Sequence, residues 1–197
     1  MKNKKLLIKY SIITIGDSQA GKTSLISRYV SDTFEEAMLP TMGFDYFEKK
    51  KEIDGNNYCF SLMDTTGQEK YASLGVQYFR NADGAIFVYE VTKRKSYENI
   101  ENWMAKVNEY CDRDMPYVVF QNKCDEPKEK WEVSDEDREE LKKKINREIH
   151  FVSAKSGENV NEAFLDIEKK IIEANKEKEC KVRVKISKDK NKRSKCC

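Results

Sequence analysis

The chain has 197 residues, of which 39% are hydrophobic, 37% charged and 11% aromatic, with a formal net charge of +2. This length predicts one domain around one core, and the aromatic content excludes a disordered chain. No window approaches about 18 uncharged apolar residues, and the opening Leu6-Leu7-Ile8 is interrupted by Lys9 and lacks a small-residue cleavage pattern, so neither a transmembrane helix nor a secretory leader is predicted.

Residues 6–15 are mostly apolar and β-branched and predict a strand ending at Gly16, after which 22–30 has helical periodicity. Two β-rich runs, 45–53 and 58–64, flank Asp54-Gly55-Asn56-Asn57, whose residue types tolerate positive φ and predict an antiparallel hairpin. The chain then alternates: strand 85–90, helix 96–111, strand 117–121, helix 134–145, strand 149–152 and helix 159–174. Ser134 with Asp137 fits a capping box, and Val160, Ala163, Phe164, Ile167, Ile171 and Ile172 mark one buried face of the last helix. Strands alternating with helices need right-handed crossovers that cover both sheet faces. The expected fold class is therefore α/β: a doubly wound, mostly parallel six-stranded sheet with one antiparallel edge strand and helices on both faces.

Between the first strand and the first helix lies Gly16-Asp17-Ser18-Gln19-Ala20-Gly21-Lys22-Thr23, which satisfies G-x-x-x-x-G-K-[ST] in the place where that phosphate-binding loop must sit. Glycine lets the loop wrap so that backbone N–H groups face phosphate oxygens, and the helix N-terminus adds positive potential. Lys22 supplies a point charge, and the Thr23 hydroxyl suits Mg²⁺, a hard cation that prefers oxygen. Asp64 opens Asp64-Thr65-Thr66-Gly67-Gln68 at the end of the third strand and is expected to reach magnesium through water. Gly67 can present its N–H to a terminal phosphate, and Gln68 carries the donor and acceptor needed to orient an attacking water.

Asn122-Lys123-Cys124-Asp125 follows the fifth strand and Ser153-Ala154-Lys155 the sixth, both at the carboxyl edge where such sheets bind ligands. The two loops are expected to meet. The Asp125 carboxylate can accept from both the ring N–H and the exocyclic amine of guanine, a pattern adenine lacks, while the Lys123 stem lies along the base.

Over residues 6–175 these motifs, in this order, resemble the small GTPases of the Ras superfamily, and most of all the Rab family. Rab-like stretches include Met42-Gly43-Phe44-Asp45-Tyr46, Tyr78-Phe79-Arg80-Asn81-Ala82, Val88-Tyr89-Glu90-Val91-Thr92 and the pair Cys196-Cys197. The resemblance implies a G domain at 1–175 that binds GTP or GDP with Mg²⁺, with Gly16 to Ser24 around the phosphates. It also implies a role for Thr41 in the first switch, contacting Mg²⁺ and the γ-phosphate, and packing of Phe34 against guanine. Residues 31–47 and 66–80 are then ordered by the γ-phosphate and released on hydrolysis. The first switch holds no arginine to act as an internal finger, so slow intrinsic turnover and dependence on an activating protein are expected. Exchange factors, a GDP-dissociation inhibitor or escort protein, and effectors reading Tyr46, Met63 and Tyr78 are the implied partners of a monomer.

Three departures from the family pattern stand out. Gln19 replaces a small residue and is expected to crowd the γ-phosphate or the catalytic groups of an activating protein. Thr66 replaces an alanine, which either perturbs hydrolysis or is inconsequential. Met63 replaces a tryptophan, which either alters the partner set or is simply buried at the sheet edge. The rival to a hydrolysing switch is an adaptor that holds guanine nucleotide with little or no hydrolysis.

Residues 176–197 carry ten Lys/Arg against three Asp/Glu, a net +7, whereas the rest is net −5. The acidic body and the lack of aromatics in this expected flexible tail argue against nucleic-acid binding, and the basic run suits anionic lipid or a partner's acidic surface. By resemblance Cys196 and Cys197 are doubly prenylated, and two chains plus basic residues give durable attachment to the cytoplasmic leaflet of an intracellular membrane. The six cysteines lack C-x-x-C spacing, which fits a reduced cytosol, and His150 reads as a strand histidine.

Overall fold

The computed structural model describes residues 7–36, 41, 43–66, 79–111 and 114–193, with only the backbone described for 177–193. In chain order the elements are β1 (Leu7–Ile15), α1 (Lys22–Ser31), β2 (Phe44–Ile53), β3 (Asn56–Thr65), β4 (Gly84–Glu90), α2 (Arg94–Glu98), α3 (Ile100–Tyr110), β5 (Tyr117–Asn122), a 3₁₀ turn (Lys128–Lys130), α4 (Asp135–Ile145), β6 (Ile149–Phe151) and α5 (Val160–Arg193). They form the expected six-stranded sheet in the order β2-β3-β1-β4-β5-β6. All neighbours pair parallel except β2 with β3.

The apolar strands are explained by burial on both faces. Ile12, Phe60, Leu62, Ile86, Val88 and Phe120 point to one side, against Leu25 and Ile26 of α1 and Phe164, Ile167 and Ile171 of α5. Their neighbours Ile13, Ile15, Ala85, Phe87, Tyr89 and Val119 point to the other, against Ile100, Trp103 and Val107 of α3 and Leu141 of α4. Each of these strands thus feeds two cores with the two-residue alternation of a pleated chain. Between β2 and β3, Asp54 and Gly55 both take positive φ, 49° and 77°, and Ile53 pairs with Asn56, as a two-residue hairpin of matching twist requires.

Gly84 opens β4 where α5 crosses closest: a Cβ there would lie 2.5 Å from Ile171 Cδ1 and 2.8 Å from its Cγ1. Gly84→Ala is expected to cost about 1–3 kcal/mol in urea unfolding, the usual penalty for overfilling a packed core. At the sheet's other end Glu168 of α5, fully buried, accepts from Lys51 Nζ at 2.8 Å and from the Tyr29 hydroxyl, tying β2 and α1 to α5. His150, in β6 as expected, pairs with Asp166 at 2.8 Å.

Two expectations are corrected. The helix expected over 96–111 starts earlier and divides at Asn99, whose side chain is drawn out to the Asp17 carboxylate at 2.7 Å. The last helix does not stop at Ala174 but runs to Arg193. Its segment 176–193 contains neither Gly nor Pro and is rich in Lys, which favours helix. The capping box of α4 is present, with Ser134 and Asp137 each accepting from the other's backbone N–H. No helix among the described residues is long and apolar enough to cross a membrane.

Candidate functional site

The carboxyl ends of β1, β3, β5 and β6 converge on a cavity of about 440 Å³. The loop between β1 and α1 forms its floor, and two glycines allow it to. Gly16 has φ +151°, and a Cβ there would lie 2.1 Å from the Val88 carbonyl oxygen of β4. Gly21 has φ +89° and leaves no room for a Cβ beside Asn122 Nδ2, 2.2 Å away. No side chain caps α1, so its first-turn N–H groups are not taken up by a capping side chain.

Lys22, the first residue of α1, is buried and donates from Nζ to the carbonyls of Gly16 at 2.9 Å and Asp17 at 2.8 Å. Burial pushes its ammonium down to about 8, against the opposing pull of Asp64 and Asp17. A nearby phosphate would restore the charged form, since an opposite charge favours it. The Asp17 carboxylate itself turns away from the cavity and accepts from Asn99 Nδ2 and Trp103 Nε1, the latter at 2.8 Å. Asp17 thus braces the loop from behind, and of its groups the main chain is the one that can serve a phosphate.

Beside Lys22, three oxygens from three segments meet. Thr23 Oγ1 donates to Asp64 Oδ2 at 2.5 Å and lies 2.9 Å from Thr41 Oγ1, which is 3.2 Å from the same carboxylate oxygen. Asp64 is fully buried, and its Oδ1 has no hydrogen-bond partner among the described residues. Burial raises its pKa, opposed by the bond from Thr23, the charge of Lys22 and the bond from Thr41. A buried carboxylate with an unsatisfied oxygen among hydroxyls is a donor set that fits a hard divalent cation.

At the other end of the cavity Asn122 joins three loops. Its Nδ2 donates to Ala20 O at 2.9 Å, and its Oδ1 accepts from Ala154 N at 3.2 Å. Ser153 Oγ donates to Asp125 Oδ1 at 2.5 Å and accepts from Ser156 N, so the two base-side loops meet as expected. Lys123, with φ 64°, pairs through its ammonium with Glu90, which is buried at the end of β4. Phe34 lines the cavity with Lys123, Asp125 and Lys155.

A Ras family sequence profile matches residues 11–173. The chain belongs to the Ras family. Within it the chain is Rab-like: it is 37% identical over 165 residues to Ras-related protein Rab-8 of Diplobatis ommata, covering 83% of this chain and 77% of that one. Ras-related protein Rab-13 of Rattus norvegicus is 37% identical over 164 residues, covering 83% and 80%. The Ypt/Rab-type GTPase YPT7 of Saccharomyces cerevisiae is 36% identical over 178 residues, covering 87% and 85%. This Ras-family protein is a Rab-like GTPase that binds GTP and GDP and works as a switch in vesicle trafficking, and the adaptor alternative is not favoured.

Not every expected site residue of this Rab-like chain falls in the described structure: Gly67, Gln68, Tyr78, Cys196 and Cys197 lie outside it. Of the expected effector patch, Tyr46 is 54% exposed, whereas its cross-strand partner Met63 is 4% exposed and packs in the core with Phe79. Met63 is thus buried, the second of the two readings its sequence allowed, with its side chain filling the sheet face beside Phe79. Thr66 and Ser24 line the cavity, as do Ser18 and Gln19.

Gln19 carries a cost that its side chain alone does not reveal: its φ is 70°, a left-handed conformation that a residue with a Cβ adopts at a penalty. Gln19→Gly is expected to stabilise the protein by about 1 kcal/mol, seen as a raised urea midpoint at unchanged slope. Sequence reasoning missed Glu90, Asn99, Trp103 and Arg28. Only Glu90 gave a signal, as an acid closing a fully apolar strand that must find a partner.

Proposed function

We propose that guanine is held at Asp125 and Lys123 with Phe34, the phosphates on Gly16 to Ser24, and Mg²⁺ by Thr23, Thr41 and Asp64. The observation that carries this reading is the meeting of the Thr23 and Thr41 hydroxyls with the buried Asp64 carboxylate beside the buried Lys22 ammonium. Bound there, Mg²⁺ supplies charge neutralisation to the phosphates. Lys22 adds a fixed positive charge on the phosphate side, and Asp125, held by Ser153, presents its second carboxylate oxygen to the base. Gln68 orients the attacking water and Gly67 gives its N–H to the terminal phosphate. Thr41 belongs to the first switch, so loss of the γ-phosphate releases its hydroxyl and with it the segment that precedes β2.

The G domain then comprises 1–175, and 176–197 serves the membrane, with prenyl groups on Cys196 and Cys197 beside a basic run. Exchange factor, activating protein, dissociation inhibitor or escort, and effectors reading Tyr46 and Tyr78 act on a monomer that cycles between cytosol and membrane. The test is titration of nucleotide-stripped protein with GTP, GDP and ATP in magnesium, followed by a single-turnover GTP time course. Guanine-only binding with slow hydrolysis supports the reading, and equal binding of ATP overturns the role of Asp125.

A further inference from the structure

We infer that Arg28 is the positioning residue that holds the 153–157 loop against the guanine end of the site and thereby sets the rate of nucleotide release. The inference rests on the placement of guanine proposed above. Arg28 lies on α1, about one and two-thirds turns beyond Lys22, with a side chain only 18% exposed. Its guanidinium donates from Nε to Ala154 O at 2.9 Å and from Nη2 to Lys155 O at 2.9 Å. Nη1 donates to Asp32 O at 3.1 Å and to Asp32 Oδ1 at 2.9 Å.

Two consecutive carbonyls pointing at one cation orient the peptide planes of the loop. The 154 and 155 carbonyls turn toward α1, while on the same loop the Ala154 N–H donates to Asn122 Oδ1 at 3.2 Å and Ser153 Oγ donates to Asp125 Oδ1. The turn closes at Gly157, which has φ +83° and where an added Cβ would lie 3.6 Å from the Arg28 Cδ. Asp32, the left-handed residue that ends α1, is the point from which the chain departs toward Phe34 and Thr41. One guanidinium thus fastens the base-side loop to the helix that begins at the phosphates. A planar fork with five donors spans these acceptors, and a single ammonium does not.

The experiment uses the full chain loaded with radiolabelled GDP in magnesium and chased with unlabelled GDP. It compares the native protein, Arg28→Lys, Arg28→Leu and Asp125→Ala, with single-turnover hydrolysis of pre-bound GTP measured on each. Both Arg28 variants are expected to release GDP at least about tenfold faster, about 1.4 kcal/mol, while the hydrolysis rate of pre-bound GTP stays within about twofold. If Arg28→Leu does not fold, Arg28→Lys decides alone, because it keeps charge and length and loses only the fork. Release within about twofold of native in Arg28→Lys overturns the inference, and so does an equal fall in hydrolysis, which marks general loosening. Faster release in Asp125→Ala with no effect at Arg28 rejects Arg28 alone. Native release in Asp125→Ala rejects the placement of guanine and the inference with it.

Discussion

Asn122→Ala is expected to raise the Kd for GDP at least about a hundredfold and to lower the unfolding free energy by about 2–4 kcal/mol. The Asn122 side chain is buried, and both ends of its amide are used on backbone groups of other loops, Ala20 O and Ala154 N. Truncation leaves both of those groups without a partner in the interior, at about 1–3 kcal/mol each. It also opens a void beside Gly21, whose absent Cβ is what lets the amide approach. Affinity suffers because the phosphate loop and the base loop are held in mutual register through this one amide. Asn122→Asp separates bonding from packing. It keeps the shape and the acceptor for Ala154, but places a carboxylate oxygen against the Ala20 carbonyl, so it too is expected to lose affinity. GDP titration and urea unfolding on both variants provide the check, and an Asp variant that binds like the native protein would show that volume, not hydrogen bonding, is what Asn122 contributes.

The same residue shows how far the sequence could be read. Asn122 announced itself through Lys123 and Asp125, three residues of one loop, but its partners are 102 and 32 positions away, and nothing local names them. Strands were legible because a chain buried on both faces has to be apolar throughout, as in Gly84–Glu90, and because Asp54-Gly55 permits only a tight reversal. The helix break at Asn99 was not legible, since a residue of ordinary helical φ is pulled out by Asp17, which is 82 positions earlier. Arg28 reads in sequence as a solvated cation on a helix, and its role comes from a loop 126 residues later. Met63 left two readings open because an apolar residue in a strand looks the same whether it faces a partner or the core; its packing with Phe79 is a contact that nothing local announces.

Gly16→Ala is expected to cost more than about 3 kcal/mol and to abolish measurable nucleotide binding, beyond the usual range for one added methyl group. The new Cβ would sit 2.1 Å from the Val88 carbonyl oxygen, 3.1 Å from its carbon and 3.3 Å from its nitrogen, so the neighbour is backbone in a central strand. Val88 pairs with Phe120 across the β4–β5 ladder and cannot retreat without breaking sheet bonds. The loop must move instead, and with it goes Gly16 O, one of the two carbonyls that hold the Lys22 ammonium. Gly84→Ala supplies the comparison, because the same methyl group added there meets the tip of the Ile171 side chain, which can shift rotamer. The two variants should therefore part company: Gly84→Ala folds, is modestly destabilised and binds GDP like the native protein, while Gly16→Ala loses GDP even where it folds. Parallel urea unfolding and GDP titration measure both, and retention of tight GDP binding by Gly16→Ala would mean that close approach of the loop to β4 is not what shapes the phosphate site.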